Sequence, residues 1–181
     1  MNVTTSPSEL KRTPDKSSVS AIALSEMEAR ELLDIYAVWN ERRAGRRMPA
    51  RADVLPAPMG RNIKNVSLIS VLGDDYEFRI IGEAHIQAYG ARHQGKRLSE
   101  VMEFAPGFAG VLKRSVDIVV RKRIPIAYRG AIGRDVGNAR FVWIETMFLP
   151  LGQRDDAVDH VMTASIYVPR NGIWEQAPTI A

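Results

Sequence analysis

The sequence predicts an α+β fold: a five-stranded antiparallel sheet with helices on one face, preceded by an N-terminal amphipathic helix. Three observations carry this expectation. Two strand-like segments precede one long apolar-striped segment near 106–123, and three follow it. Glycine- and aspartate-rich turns separate the strand-like segments closely enough for antiparallel connections. The central late segment, RFVWIETMFL at 140–149, is apolar on both faces, so something must cover each side of the sheet.

Taken in order, residues 1–24 are rich in Ser, Thr, Pro and Lys without periodicity and read as a flexible tail. Ser25-x-x-Glu28 has the pattern of a capping box, so a helix is expected over 25–45. Its stripe is Ala29, Leu32, Leu33, Tyr36 and Trp39, and Gly45 is its natural stop. Such a helix either packs on its own domain or dimerises. Leu32, Leu33, Tyr36 and Trp39 are the candidates for the second role. The stretch 46–58 holds three prolines and little periodicity, and reads as an extended, stiffened connection.

The main domain is expected over 46–168. Strands at 65–72 and 76–81 flank the turn Gly73-Asp74-Asp75, a short helix spans Glu83–Tyr89, and Gly90 suits a left-handed cap. Pro106-Gly107 opens the longest helix, striped by Phe108, Val111, Leu112 and Val119 and closed by Arg121-Lys122-Arg123. Strands are expected at 126–132, 140–149 and 158–168, and residues 169–181 read as a short tail.

Composition narrows the function. With 181 residues, 45% of them apolar, the chain can bury a real core. It contains no cysteine, which removes disulfides, thiolate nucleophiles and Cys-ligated zinc, and suits a reducing cytoplasm. No apolar run reaches the length of a membrane span, so no membrane role is expected. The net charge of +4 is unevenly placed: Arg42, Arg43, Arg46, Arg47, Arg51, Arg61 and Lys64 stand against Asp53 alone, a local +6 that leaves the remainder at −2. No aromatic residue interleaves with these cations, and no helix-turn-helix or zinc module is visible. A solvated face is therefore favoured over nucleic-acid contact through Arg42–Arg51.

The order of strands and helices, together with Tyr89-Gly90, a short loop at 91–94 and Gly95-Lys96-Arg97-Leu98, resembles the PAS domain. The Asn usual after the second strand is absent, with Gly82-Glu83 in its place. Upstream, Trp39, Arg42, Pro49-Ala50-Arg51-Ala52-Asp53 and Pro56, ahead of Phe78–Gly82, resemble the stand-alone PAS proteins common in alphaproteobacteria. The resemblance implies a bacterial, cytoplasmic signalling module without an attached kinase or cyclase. It implies a pocket between helices and sheet, with His85, Tyr89, Phe108, Leu112, Trp143 and His160 as candidate lining. A filled core with no cavity would use the same residues.

Other chemistry is poorly supported. Gly90–Lys96 matches G-x-x-x-x-G-K, but Arg97 stands where magnesium needs Ser or Thr, and a short helix precedes the motif instead of a parallel strand. The family's usual axial histidine for haem would lie in the long helix, and none occurs between Phe108 and Arg123. Without cysteine a covalent flavin adduct is excluded; non-covalent flavin is not. Asp155, Asp156 and Asp159 read as turn residues, since their spacing fits no calcium loop. No catalytic motif is present. The expected function is a sensor of a small molecule or of a signalling protein, relaying through a homodimer. The alternative is a small acid–base enzyme with Asp159 or His160 as base, and neither reading identifies a cofactor or metal.

Overall fold

A computed structural model of the chain describes residues 13–136 and 139–170, so the expected tails lie outside it before residue 13 and after residue 170. The strands are β1 (Ser18–Ile22), β2 (Val66–Leu72), β3 (Asp75–Ile80), β4 (Ile126–Ala131), β5 (Phe141–Leu151) and β6 (His160–Pro169). The helices are α1 (Arg30–Arg42), α2 (Arg51–Val54), α3 (Glu83–Tyr89), α4 (Leu98–Phe104) and α5 (Pro106–Lys122), with 3-10 turns at Leu24–Glu26 and Ala57–Asn65. All strand pairs are antiparallel, in the order β1-β4-β5-β6-β2-β3.

The sheet has six strands, not five. The sixth is β1, which forms where a flexible tail was expected and pairs with β4 from Ser18↔Ala131 to Ile22↔Ala127. Ser and Thr composition concealed it, because what holds this segment is specific and distant in sequence. Asp135 accepts from both the backbone N–H (2.9 Å) and the hydroxyl (2.7 Å) of Ser17, and the Ser17 hydroxyl accepts from Gly133 N–H at 2.9 Å. A Cβ at Gly130 would collide with the Ser18 carbonyl, so a glycine there lets the two backbones approach.

The N-terminal helix begins at Arg30, five residues later than the Ser25 pattern indicated. Glu26 folds its carboxylate back to Ala23 N–H at 2.6 Å, closing only the short 3-10 turn. The start of α1 is capped instead by a residue 116 positions away. Glu145, wholly buried on β5, accepts from Glu28 N–H (2.8 Å) and Ala29 N–H (3.2 Å). Its second oxygen lies 3.8 Å from the Arg129 guanidinium, which also meets Glu28 at 2.7 Å. Beyond α1, the segment expected to be extended forms α2 and a 3-10 turn, because Asp53 returns its carboxylate to Ala50 N–H at 2.9 Å.

Two layers cover the sheet. Leu32, Ile35 and Trp39 turn α1 toward β5 and β6, and the Trp39 indole N–H donates to Pro150 O at 2.9 Å. Burying Leu32 and Ile35 stabilises this docking by about 2 kcal/mol each. Side chains alternate along β5. Glu145 therefore points toward α1, while its neighbour Ile144 packs with Ala88 and Tyr89 of α3 on the opposite face. The stripe of α5, Ala109, Leu112, Val116 and Val119, is buried as well, and every residue of β5 is buried.

This arrangement makes Glu145 a keystone of stability. Glu145→Ala would leave two helix-start amides unbonded and Arg129 beside an empty site, and should lower the free energy of unfolding in urea by about 3–5 kcal/mol. Glu145→Gln keeps one acceptor oxygen and should lose less. Equal stability of Glu145→Ala and the parent chain would show that α1 does not depend on this cap.

Candidate functional site

On the α3–α5 face the side chains of five elements converge on a cluster of rings. Positions 85 and 89 are one turn apart on α3, so His85 and Tyr89 share a face, with ring centroids 4.7 Å apart. Gly90 ends α3 in the left-handed conformation (φ 65°), its N–H donating to Ile86 O at 2.7 Å. From α5, Phe108 lies 4.8 Å from Tyr89 and 5.7 Å from His85. From the sheet, Phe141 and Tyr167 pack 4.8 Å apart, and Phe141 stands 5.3 Å from Tyr89.

The near-match to a phosphate loop serves this cluster rather than a phosphate. Gly95 N–H donates to Phe78 O (2.7 Å), and Phe78 N–H donates to Lys96 O (3.0 Å), so the loop runs along the outer edge of β3. Pinned there, His93 lies 5.6 Å from Phe78, 5.8 Å from Phe108 and 6.2 Å from His85. At the start of α4, Arg97 N–H donates to the Glu100 carboxylate at 2.6 Å and Ser99 N–H to Asp75 at 3.3 Å, so carboxylates already sit at that helix start.

Electrostatics makes the cluster neutral. Burial, helped by His93, pushes the His85 imidazole down to about 4, and burial beside Lys96 lowers His93 as well. Burial raises the Tyr89 phenol well above its ordinary range and the Tyr167 phenol to about 12. The Tyr167 hydroxyl lies 3.4 Å from His85 Nδ1. Whichever ring nitrogen carries the proton, the Tyr167 hydroxyl can complement Nδ1 and leaves Nε2 to find its own partner. That Nε2 is shut off from solvent and has no hydrogen-bond partner among the described residues. A buried polar nitrogen without a partner costs about 1–3 kcal/mol, so this atom marks a place where a hydrogen-bonding group belongs.

Of the expected lining residues, His85, Tyr89 and Phe108 come together, and Leu112 lies buried on the same helix as Phe108. The structure separates the other two. Trp143 shares the parity of Glu145 and so faces the α1 side. His160, seven positions from Tyr167 on β6, also faces that side, half-buried near Arg51. Strand alternation could have signalled Phe78 and Tyr167, whereas Phe141 reaches the cluster only because the register shifts between Phe141 and Trp143. Nothing in the sequence announced His93, which is placed by backbone bonds of its loop.

On α1, Leu32 and Trp39 are buried against their own sheet and cannot serve an interface, whereas Leu33 is 39% exposed and Tyr36 is half-buried, stacked on Trp39 at 5.9 Å. The late aspartates act as turn residues. Asp155 pairs with Arg46, Asp156 pairs with Arg154, and Asp159 accepts from Gln153 N–H. No group of three metal-ligating side chains occurs among the described residues. No described helix is long and apolar enough to cross a membrane.

The family model for the PAS domain matches residues 27–165. The chain belongs to the PAS domain family. Among solved structures, an RNA-binding light-oxygen-voltage receptor is similar at a TM-score of 0.45 and 13% identity, over 88% of this chain and 40% of that one. This chain therefore spans less than half the length of that receptor. No curated protein matches the sequence.

The His85 environment generates a pH dependence. Its folded imidazole titrates at about 4, against 6.5 ordinarily, so below pH 6.5 the unfolded chain takes up a proton that the folded chain refuses. Stability from this group is complete above pH 6.5, falls as pH drops toward 4, and levels off below that, by roughly 3 kcal/mol in all. Urea midpoints between pH 7 and 4.5 should fall more steeply in the parent chain than in His85→Phe. Parallel profiles would place His85 in contact with solvent.

Proposed function

We propose that this PAS domain is a cytoplasmic sensory module that binds a small, planar, uncharged organic molecule among the rings of His85, Tyr89, Phe108, Phe141 and Tyr167. The observation that carries the reading is the unpartnered His85 Nε2 among aromatic rings. Flat apolar walls supply dispersion and hydrophobic contact, and the unmet ring nitrogen selects a ligand with a complementary hydrogen-bonding group. No carboxylate lines the cluster among the described residues, and an imidazole titrating at about 4 is a poor general base at neutral pH. The acid–base reading loses ground further because His160 lies at the far end of β6 on its α1 side, and Asp159, in the turn before the strand, accepts from Gln153 N–H.

Relay would proceed by population shift. Phe141 and Ile144 touch the ring cluster, and Glu145, next along β5, holds the start of α1. A ligand that favours one setting of β5 thus favours one docking of α1, whose outward residues Leu33 and Tyr36 meet a second copy or a signalling partner.

Native mass spectrometry of freshly purified protein should show the chain carrying a small organic molecule, absent from Tyr89→Ala. A bare polypeptide mass for the parent chain would refute binding. Solution scattering should report a dimer that becomes a monomer in Leu33→Glu/Tyr36→Glu. A mass unchanged by these substitutions would remove α1 from the relay.

A further inference from the structure

The basic stretch between Arg42 and Lys64 is not uniform once folded. Arg43 bonds to Asn40 and to Arg46 O, and Arg46 bonds to Gly152 O and Gln153 O and pairs with Asp155. Arg43 thus closes the loop on the end of α1, and Arg46 fastens it to the β5–β6 turn. The other five, Arg42, Arg47, Arg51, Arg61 and Lys64, are exposed, and none has an ion-pair partner among the described residues. Asp53, the one acid in the stretch, spends its carboxylate on Ala50 N–H. The end of α1, α2 and the 3-10 turn that carry these cations pack against one another, so the charge lies on one flap.

Three kinds of anionic partner would suit such a flap, and the surface discriminates among them. A membrane-binding face needs apolar side chains to insert, and a protein interface needs an apolar or aromatic anchor at its centre. No exposed large hydrophobic residue falls within 42–64. Single-stranded nucleic acid needs aromatic platforms, and the stretch has no Phe, Tyr or Trp. What remains is a dry-free, fork-rich set of four arginines and one lysine, suited to phosphate oxygens in a regular array. We propose that this flap docks the sugar–phosphate backbone of duplex nucleic acid, without reading base sequence. The flap is formed by the end of α1, α2 and the 3-10 turn, and the last of these also packs on α3.

Fluorescence anisotropy with labelled 20-base-pair duplexes of arbitrary sequence, one DNA and one RNA, tests this. Binding should weaken roughly 40- to 500-fold between 50 and 200 mM salt, as three to five phosphate contacts require. Arg47→Glu/Arg51→Glu/Lys64→Glu should abolish it, whereas Arg114→Glu/Arg121→Glu/Lys122→Glu, which changes net charge equally at other exposed sites, should retain most of it. Should the reversal variant melt early, Arg47→Gln/Arg51→Gln gives the same comparison with an expected loss of at least tenfold. The proposal fails if neither duplex binds at 50 mM salt, if salt has little effect, or if both triple variants lose binding equally. It also fails if phosphatidylserine vesicles or polyglutamate bind as tightly as the duplexes, since the surface would then fit a membrane or an acidic chain.

Discussion

A carboxylate with no solvent contact holds this molecule's two layers in register. Glu145 sits at the middle of the longest strand, and burying its charge carries a desolvation cost of several kcal/mol. Two helix-start amides and the nearby Arg129 guanidinium offset that cost. The positive end of a helix favours a negative group at this point, so the interaction is both a cap and a charge–dipole contact. The consequence is directional: α1 cannot shift along the sheet without stripping Glu145 of its partners. Trp39, bonded to Pro150 O five residues further along β5, fixes the other end of the helix. A helix tethered at both ends to one strand moves with that strand.

The local elements were legible where the signal was local. Gly73 and Gly90 have the positive φ that their places in a turn and a cap require, and Leu112 and Val119 of the expected α5 stripe are buried at helical spacing, whereas Val111 is exposed. Errors arose wherever a distant residue supplied the decisive bond. The capping pattern at Ser25 was real in form, but Glu145 supplies the cap that sets the helix start. Strand β1 was hidden because its pairing depends on Gly130 and Asp135, more than a hundred positions away. The candidate site divided along the same line. His85, Tyr89 and Phe108 lie on helices whose periodicity places them, whereas His160 and Trp143 were misplaced because face assignment on a strand flips with one residue of register. His93 depends on bonds between its loop and β3.

The fold keeps two chemistries apart. On one face of the sheet the rings enclose neutral imidazoles and phenols from which charge is excluded by burial. Beyond α1, a flap gathers exposed cations, with Asp53 committed to a backbone amide and Asp155 to Arg46. Low dielectric among the rings rewards shape and a single well-placed hydrogen-bonding group. Water on the flap screens every charge, so only several cations acting on one polyanion accumulate useful affinity.

In the proposed relay, alternation along β5 would connect the two faces of the sheet. Ile144 and Glu145 are consecutive, so their side chains point into opposite layers, and a backbone adjustment that suits one necessarily displaces the other. Because the strand is buried along its whole length, neighbouring side chains leave little room for a graded response, and close-packed cores tend to hold discrete arrangements. A molecule that satisfies His85 Nε2 would act on the α3 side of β5, and the Glu145 bonds would carry the change to the start of α1. A signal passing this way needs no chain of moving loops. It would need a strand that packs on the ring cluster with one face and holds a helix start with the other, and Ile144 and Glu145 do so within two residues.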